Sequence, residues 1–132
     1  MILVVDTNIL SKAFSGKSTQ ARDRLLATDP KTVRIPSIVL AELHYGLAKI
    51  VASTALRERW QAFLAPYPVL DFTGTMAVLH GQLRWELRQH PIGPHDLLIA
   101  TMARSCNGTV ITNNRREFDR VPGLQVEDWT AP

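Results

Sequence analysis

Three carboxylates stand where they could bind a divalent cation. Asp6 follows the apolar run 2–5, Glu42 lies within a mostly apolar segment, and Asp96 follows the stiff turn 91–94. Carboxylate oxygens are the ligands that Mg²⁺ and Mn²⁺ prefer, and clustered carboxylates repel one another unless they are protonated or bind a cation. If the fold brings Asp6, Glu42 and Asp96 together, the sequence predicts a site for Mg²⁺, with Mn²⁺ as a substitute, that can activate water.

Each of these acids also has a purely structural interpretation. Asp6 could form a turn, and Asp96 could be a helix N-cap. Glu42 could be a partly exposed side chain that pairs with Arg34 or Lys49. A helical wheel, however, places Glu42 on a mostly apolar face, where glutamate is rare unless it is paired or binds a metal.

A further polar group follows the fourth apolar run. Thr112 and Asn114 offer neutral oxygens for a metal or for water, and Glu117 offers another carboxylate. The structural alternative for Glu117 is a loop residue that pairs with a neighbouring arginine. The four histidines and Cys106 show no zinc-ligand spacing, which disfavours a soft metal; His95 could reach the site through Asp96.

The elements that would position these side chains follow from the hydrophobic pattern. Short apolar runs alternate with helical patterns, as in βαβ units of a parallel sheet. The predicted strands are 2–5, 33–35, 69–70, 109–112 and 124–126, and the predicted helices are 18–28, one opening at N-cap Ser37, 53–64, 74–89 and 96–105. Residues 113–118 are predicted to be a loop or short turn. The sequence therefore predicts an α/β fold, a three-layer α/β/α sandwich with four or five parallel strands, in one domain of residues 1–132.

Composition narrows the class of protein. With 45% hydrophobic and 20% charged residues, the chain is typical of a globular protein. It has no apolar run long enough for a membrane helix, no signal-peptide pattern and a single cysteine, so we expect a cytoplasmic location. A net charge of +3 favours polyanionic partners only mildly and is too small for a dense DNA-reading surface.

Four motifs in this order resemble those of PIN-domain proteins, and more closely those of the VapC-type toxins of bacterial toxin–antitoxin pairs. The motifs are Asp6-Thr7-Asn8, Glu42 within a helix, the segment 92–100 around Asp96, and Thr112-Asn113-Asn114-x-x-Glu117-Phe118. The likeness extends to Trp129. It implies a Mg²⁺-dependent endoribonuclease, a homodimer, and a cognate antitoxin that neutralises it in a larger assembly. DNA would be contacted only through the antitoxin, no membrane would be involved, and the anticodon loop of transfer RNA is a candidate substrate.

The resemblance also implies roles for individual residues. Asp6, Glu42 and Asp96 would be the metal ligands, and Asn114 would take a fourth catalytic position where many PIN domains have an aspartate. Glu117 is the nearby candidate to replace that acid. Water would attack in line and leave a 5′-phosphate and a 3′-hydroxyl. The candidate substrate-binding residues are Thr7, Asn8, Thr112, Arg115 and Arg116, with Lys12, Arg84 and Arg88 as further basic candidates.

Four other classes of protein fit the sequence less well. A non-catalytic nucleic-acid-binding domain of the same fold would not need three acids. A haloacid-dehalogenase-like phosphatase needs a second aspartate where this chain has Asn8. A receiver domain needs an acidic pair after one strand, and a structure-specific DNA nuclease of the same superfamily needs larger insertions. These comparisons favour the ribonuclease.

Overall fold

Five short parallel strands form the centre of the molecule. The structure is a computed structural model that describes all residues, Met1–Pro132. The strands are β1 (Leu3–Val5), β2 (Val33–Pro36), β3 (Val69–Leu70), β4 (Thr109–Ile111) and β5 (Gln125–Glu127). They pair in the order β3-β2-β1-β4-β5, with Val5 opposite Ile111 and Ile111 opposite Glu127. The predicted parallel sheet is confirmed. Its strands β1, β4 and β5 end at the same level.

Seven α-helices connect the strands. They are α1 (Thr7–Ser15), α2 (Thr19–Ala27), α3 (Ser37–Lys49), α4 (Thr54–Leu64), α5 (Gly74–Glu86), α6 (Pro94–Ser105) and α7 (Arg115–Phe118), with a 3₁₀ turn at Pro30–Thr32. The connections β1–β2 and β3–β4 run in opposite directions across the sheet, so right-handed crossovers put their helices on opposite faces. Accordingly α1 packs on α2, and α5 packs on α6. This is the predicted three-layer arrangement.

The hydrophobic core covers both faces of the central strands. Val4, Val5, Val110 and Ile111 are fully buried, as expected for central strands covered on both faces. The ring of Phe14 in α1 stacks on Trp60 in α4, with centroids 3.7 Å apart. None of the helices is both long and apolar enough to span a bilayer.

Three local predictions differ from the structure. Helix α1 was missed, because Asp6-Thr7-Asn8 carries turn chemistry as well as capping chemistry. Ser37 is not an N-cap; its hydroxyl instead accepts a hydrogen bond from the backbone N–H of Phe72 at 3.3 Å. Asp96 is not an N-cap either, because α6 begins two residues earlier, at Pro94, and Asp96 lies in the first turn.

Candidate active site and metal centre

Asp6 occupies the point where the strand order reverses. The chain leaves β1 toward β2 on one side and later returns to β4 on the other, so the crevice between β1 and β4 is the expected ligand site. Asp6 follows β1, is 3% exposed, and caps α1 by accepting the backbone N–H of Ile9 at 2.9 Å. Its second oxygen accepts the hydroxyl of Thr112, which follows β4. Both oxygens of the carboxylate are therefore held in place.

A second acidic group lies beside the first. The side-chain amide of Asn114 donates to Asp96 Oδ2 and to Glu117 Oε2, each at 3.1 Å. The backbone N–H of Asn114 donates to Thr112 Oγ1 at 2.9 Å. Thr112 thereby connects the two groups. Its hydroxyl donates to Asp6 and accepts from the backbone N–H of Asn114, whose side chain binds Asp96 and Glu117. Asn114 acts as a bridge between two acids, while Glu117 supplies the carboxylate next to it.

Glu42 reaches this edge from α3 and is hydrogen-bonded to His95 Nδ1 of α6. The alternative pairing with Arg34 is not seen, since that guanidinium donates to the backbone carbonyls of Lys31 and Val33. His95 therefore contacts the site through Glu42 and not, as predicted, through Asp96. Its partner could not be predicted from the sequence, since it depends on how α3 packs on α6.

The electrostatics of the site are those of crowded acids. Burial raises the pKa of Asp6 to about 6; the hydrogen bonds from Thr112 and Ile9 lower it, and the charge of Glu42 raises it. Burial also raises the pKa of Asp96 to about 7, together with the hydrogen bond and charge of Glu117 and the charge of Asp6. The hydrogen bond with Asp96 lowers the pKa of Glu117. The four acids thus influence one another across one edge of the sheet.

The donor set fits a hard divalent cation. Apart from His95, the side chains of the site are carboxylates, one amide and hydroxyls, and their oxygens suit Mg²⁺ or Mn²⁺. In addition, Thr7 Oγ1, next to Asp6, is buried without a hydrogen-bond partner in the protein. As the side chains stand, no three acidic, histidine or cysteine groups lie close enough together to share one ion. Asp6 and Asp96 are close enough for their charges to interact, and a bound cation would offset that repulsion.

The predicted substrate-binding residues are not equivalent in the structure. Asn8, Arg115 and Arg116 are exposed, and Arg115 also pairs with Asp119 at 3.2 Å. Thr112 is fully buried and its hydroxyl is bonded to Asp6. The hydroxyl of Thr112 therefore positions Asp6, and contact between Thr112 and substrate stays a prediction.

One residue near the site escaped the sequence analysis. Asp128 follows β5, and its charge contributes to the raised pKa of Asp6. Its side chain accepts hydrogen bonds from the backbone N–H of Thr130 at 2.8 Å and from the hydroxyl of the same residue at 2.6 Å. In the structure Asp128, like Asp6, directly follows its strand, but the predicted strand 124–126 ends one residue early and puts Glu127 in that position.

The raised pKa of Asp6 predicts how stability depends on pH in the presence of a chelator. Well below pH 4 the carboxyl is protonated in both the folded and the unfolded chain, so its ionisation does not affect stability. As the pH rises from the unfolded value of 3.8 to the folded value of about 6, the unfolded chain ionises first and the free energy of unfolding falls. Relative to Asp6→Asn, which keeps the helix cap, we expect wild type to lose up to about 3 kcal/mol between pH 4 and pH 7. Urea unfolding at stepped pH measures this, and parallel curves for the two proteins would contradict it.

Comparison with known families agrees with this geometry. The PIN domain family matches residues 3–124. The chain is 39% identical to Ribonuclease VapC2 of Rickettsia felis over 132 residues, which covers 98% of each protein. It is 37% identical to the tRNA(fMet)-specific endonuclease VapC of Salmonella typhimurium, covering 96% of each.

Solved structures give the same result. The crystal structure of VapBC2 from Rickettsia felis, bound to a DNA fragment from its promoter, contains a chain with a TM-score of 0.85 and 38% identity, covering 98% of this chain and 99% of that one. A toxin–antitoxin complex from Klebsiella pneumoniae contains a chain with a TM-score of 0.74 and 26% identity, covering 92% and 94%. The full-length matches, the sheet order and the acids at its edge lead to one conclusion: the chain belongs to the PIN-domain family and, within it, to the VapC ribonucleases.

Proposed function

We propose that this protein is the toxin of a toxin–antitoxin pair, an endoribonuclease that hydrolyses RNA phosphodiester bonds with Mg²⁺. The observation that carries the proposal is the group of acids at the switch point of the sheet, Asp6, Asp96, Glu117 and Glu42, in which burial and neighbouring charges raise the pKa of Asp6 and Asp96. Placing the buried carboxyl of Asp6 within range of other acids is unfavourable unless they serve a ligand. Chains that match this one over their full length are named ribonucleases, which supports the same activity.

Asp6 and Asp96 would hold the cation, with Glu42 completing the ligand set and Mn²⁺ able to substitute. A cation bound there would polarise a phosphoryl oxygen and lower the pKa of a water molecule. The role of the protein is to keep the donors in place: Thr112 and the backbone of Ile9 fix the Asp6 carboxylate, and Asn114 fixes Asp96. Asn114 itself takes the fourth position, with Glu117 supplying the negative charge that an aspartate would carry.

The alternative role of Glu42 is that of general base toward the attacking water. A carboxylate that accepts a proton from the attacking water must be oriented, and the hydrogen bond from His95 does this. Attack in line with the leaving 3′ oxygen leaves a 5′-phosphate and a 3′-hydroxyl. Arg116 and Arg115 are exposed in α7, directly after Asn114, where they can bind substrate phosphates, while Thr7 and Asn8 follow Asp6.

We propose single-stranded RNA, with the anticodon loop of initiator transfer RNA as the first candidate. Two relatives that are each 37% identical to the chain carry the name tRNA(fMet)-specific endonuclease. The basic residues around the site provide affinity for phosphates without reading sequence, so a preference for a loop would come from shape.

A cognate antitoxin is the proposed protein partner, since the structural neighbours include toxin–antitoxin complexes. We further propose that the toxin is a homodimer within a larger assembly. In that assembly DNA would be bound by the antitoxin and not by this chain, whose net charge is only +3. The non-catalytic alternative is not favoured, because the acids are present and the relatives are named nucleases.

The test is cleavage of initiator transfer RNA by the purified full-length chain. With Mg²⁺ we expect cuts in the anticodon loop whose products carry 5′-monophosphates and are ligated without further treatment. A chelator should reduce the rate by at least about 100-fold, and added Mn²⁺ should restore it. Elongator transfer RNA and the same loop sequence in a perfect duplex are the matched substrates. Undiminished cutting in chelator, or products ending in 2′,3′-cyclic phosphate, would refute the mechanism.

A further inference from the structure

A basic and aromatic patch at the C-terminal end of α5 and in the segment that follows it has no role in the site described above. We call it the Trp85 surface, and it consists of Gly81, Arg84, Trp85, Arg88 and Pro91, which line a shallow cavity of about 410 Å³. The indole of Trp85 is 66% exposed, and the guanidinium carbon of Arg88 lies 3.9 Å from its ring centroid. The fold does not require a large exposed ring beside two arginines.

The other two tryptophans show the contrast. Trp60 is 7% exposed and stacks on Phe14, and Trp129 is 2% exposed and donates its indole N–H to Glu127. Both have structural roles. Trp85 contacts only Arg88 among the aromatic and cationic groups of the protein, so packing does not account for it.

The Trp85 surface is continuous with the active site through the turn before α6. Arg84 and Pro91 also line the neighbouring cavity, together with Ile92 and Pro94. Farther along that turn, a Cβ built on Gly93 would lie 3.7 Å from Glu117 Oε2 and 3.8 Å from Asp96 Oδ2. The Trp85 surface and the acids therefore lie at the two ends of the same turn, residues 91–94.

We propose that Trp85 stacks on an unpaired base of the substrate RNA, and that Arg84 and Arg88 bind the flanking phosphates. The inference rests on the proposed ribonuclease function and assigns it a second contact point away from the scissile bond. Every base has a π-face, so an exposed indole binds single strands whatever their sequence, and arginine adds both charge and stacking. A duplex has no free base to offer, which makes the surface selective for loops.

A second copy of this chain is the competing occupant, and charge argues against it. In a two-fold symmetric contact centred on Trp85, the arginines at positions 84 and 88 would face their own copies. Glu86 is the one acid in α5, too few to balance them. Phosphates complement the same arginines directly.

Intrinsic fluorescence tests the proposal on the full-length protein in chelator, with single-stranded decauridylate as the probe. Because Trp85 is the one exposed tryptophan, stacking should quench its emission. We expect Trp85→Ala to bind about tenfold more weakly. Trp85→Phe should keep most of the affinity but lose the quenching. Val78→Ala, which removes another exposed apolar side chain of α5, is the matched control and should behave as wild type.

Salt dependence tests the arginines. For the double variant Arg84→Gln, Arg88→Gln we expect the slope of log affinity against log salt to fall by about 1.4, since each phosphate contact on a single strand contributes about 0.7. Arg22→Gln, an exposed arginine of α2 in the layer on the other face, should leave the slope unchanged. Decauridylate paired with decaadenylate should not quench Trp85.

Two results would overturn the inference. One is unchanged affinity for decauridylate in Trp85→Ala; the other is a dimer that dissociates in that variant by light scattering while RNA binding stays intact. Cleavage assays run separately with Mg²⁺ distinguish the two proposals. Binding without cleavage would count against the nuclease alone, and cleavage at wild-type rates in Trp85→Ala would count against the stacking site alone.

Discussion

Asp96→Asn is expected to reduce RNA cleavage by about 10³-fold, equal to roughly 4 kcal/mol of transition-state stabilisation, with no loss of folded protein. The substitution removes a charge and keeps the shape. An amide oxygen at this position still accepts the hydrogen bond that Asn114 donates at 3.1 Å. What disappears is the negative charge proposed to hold the cation, and with it the carboxyl whose pKa is raised to about 7.

The experiment compares initial cleavage rates and thermal melting of wild type, Asp96→Asn and a control, Asp23→Asn. Asp23 is an exposed acid of α2 in the opposite layer, so its loss changes net charge equally without touching the site. In cells, induction of wild type should arrest growth, and Asp96→Asn should relieve the arrest at equal protein level. Wild-type cleavage in Asp96→Asn would end the proposed role, whereas a lowered melting temperature would show that Asp96 is structural.

Phe118→Ala is expected to destabilise the protein by about 3–5 kcal/mol, the usual cost of removing a fully buried phenylalanine. Phe118 is 0% exposed and ends α7, the short helix between Asn114 and β5. It anchors the segment that presents Glu117 and Asn114 to Asp96. Removing the ring should therefore loosen the acids as well as the core, and cleavage should fall more than the loss of folded protein explains.

Leu25→Ala provides the matched control for this effect. Leu25 is also 0% exposed, but it lies in α2, away from the acids, and its loss should cost about 2–5 kcal/mol. Urea unfolding ranks the two variants, and cleavage is then measured at a temperature where both are folded. Leu25→Ala should retain its rate while Phe118→Ala loses it. Equal cleavage rates in the two variants would show that Phe118 does not hold α7 in its active position. If Phe118→Ala does not fold, Phe118→Leu replaces it in the comparison.

The sheet was predictable because its signals are local. Continuous β-branched runs such as 2–5 and 109–112 mark covered parallel strands, and the helix that follows Ser53 begins with the capping chemistry expected of it. The placement of Asp6 followed from one rule about strand ends. The motifs themselves, not the periodicity, carried the likeness to the nuclease family.

What the sequence left open depends on packing between distant elements. The contact between Glu42 and His95 arises from the way α3 meets α6, and no spacing encodes it. Asn114 can bridge only if Asp96 and Glu117 both lie next to its side-chain amide. That arrangement depends on how α6 packs against α7. Helix α1 was missed for the opposite reason, because its first residues favour two local structures equally.

The bond from Thr112 to Asp6 joins residues 106 positions apart in the chain. A ribosome must therefore have released most of the protein before the two strand ends can meet, and contacts of such long range are slow to form. A chain that ends before Thr112 therefore lacks the hydroxyl that holds the Asp6 carboxylate in place. The candidate site is accordingly completed only late in the synthesis of the chain.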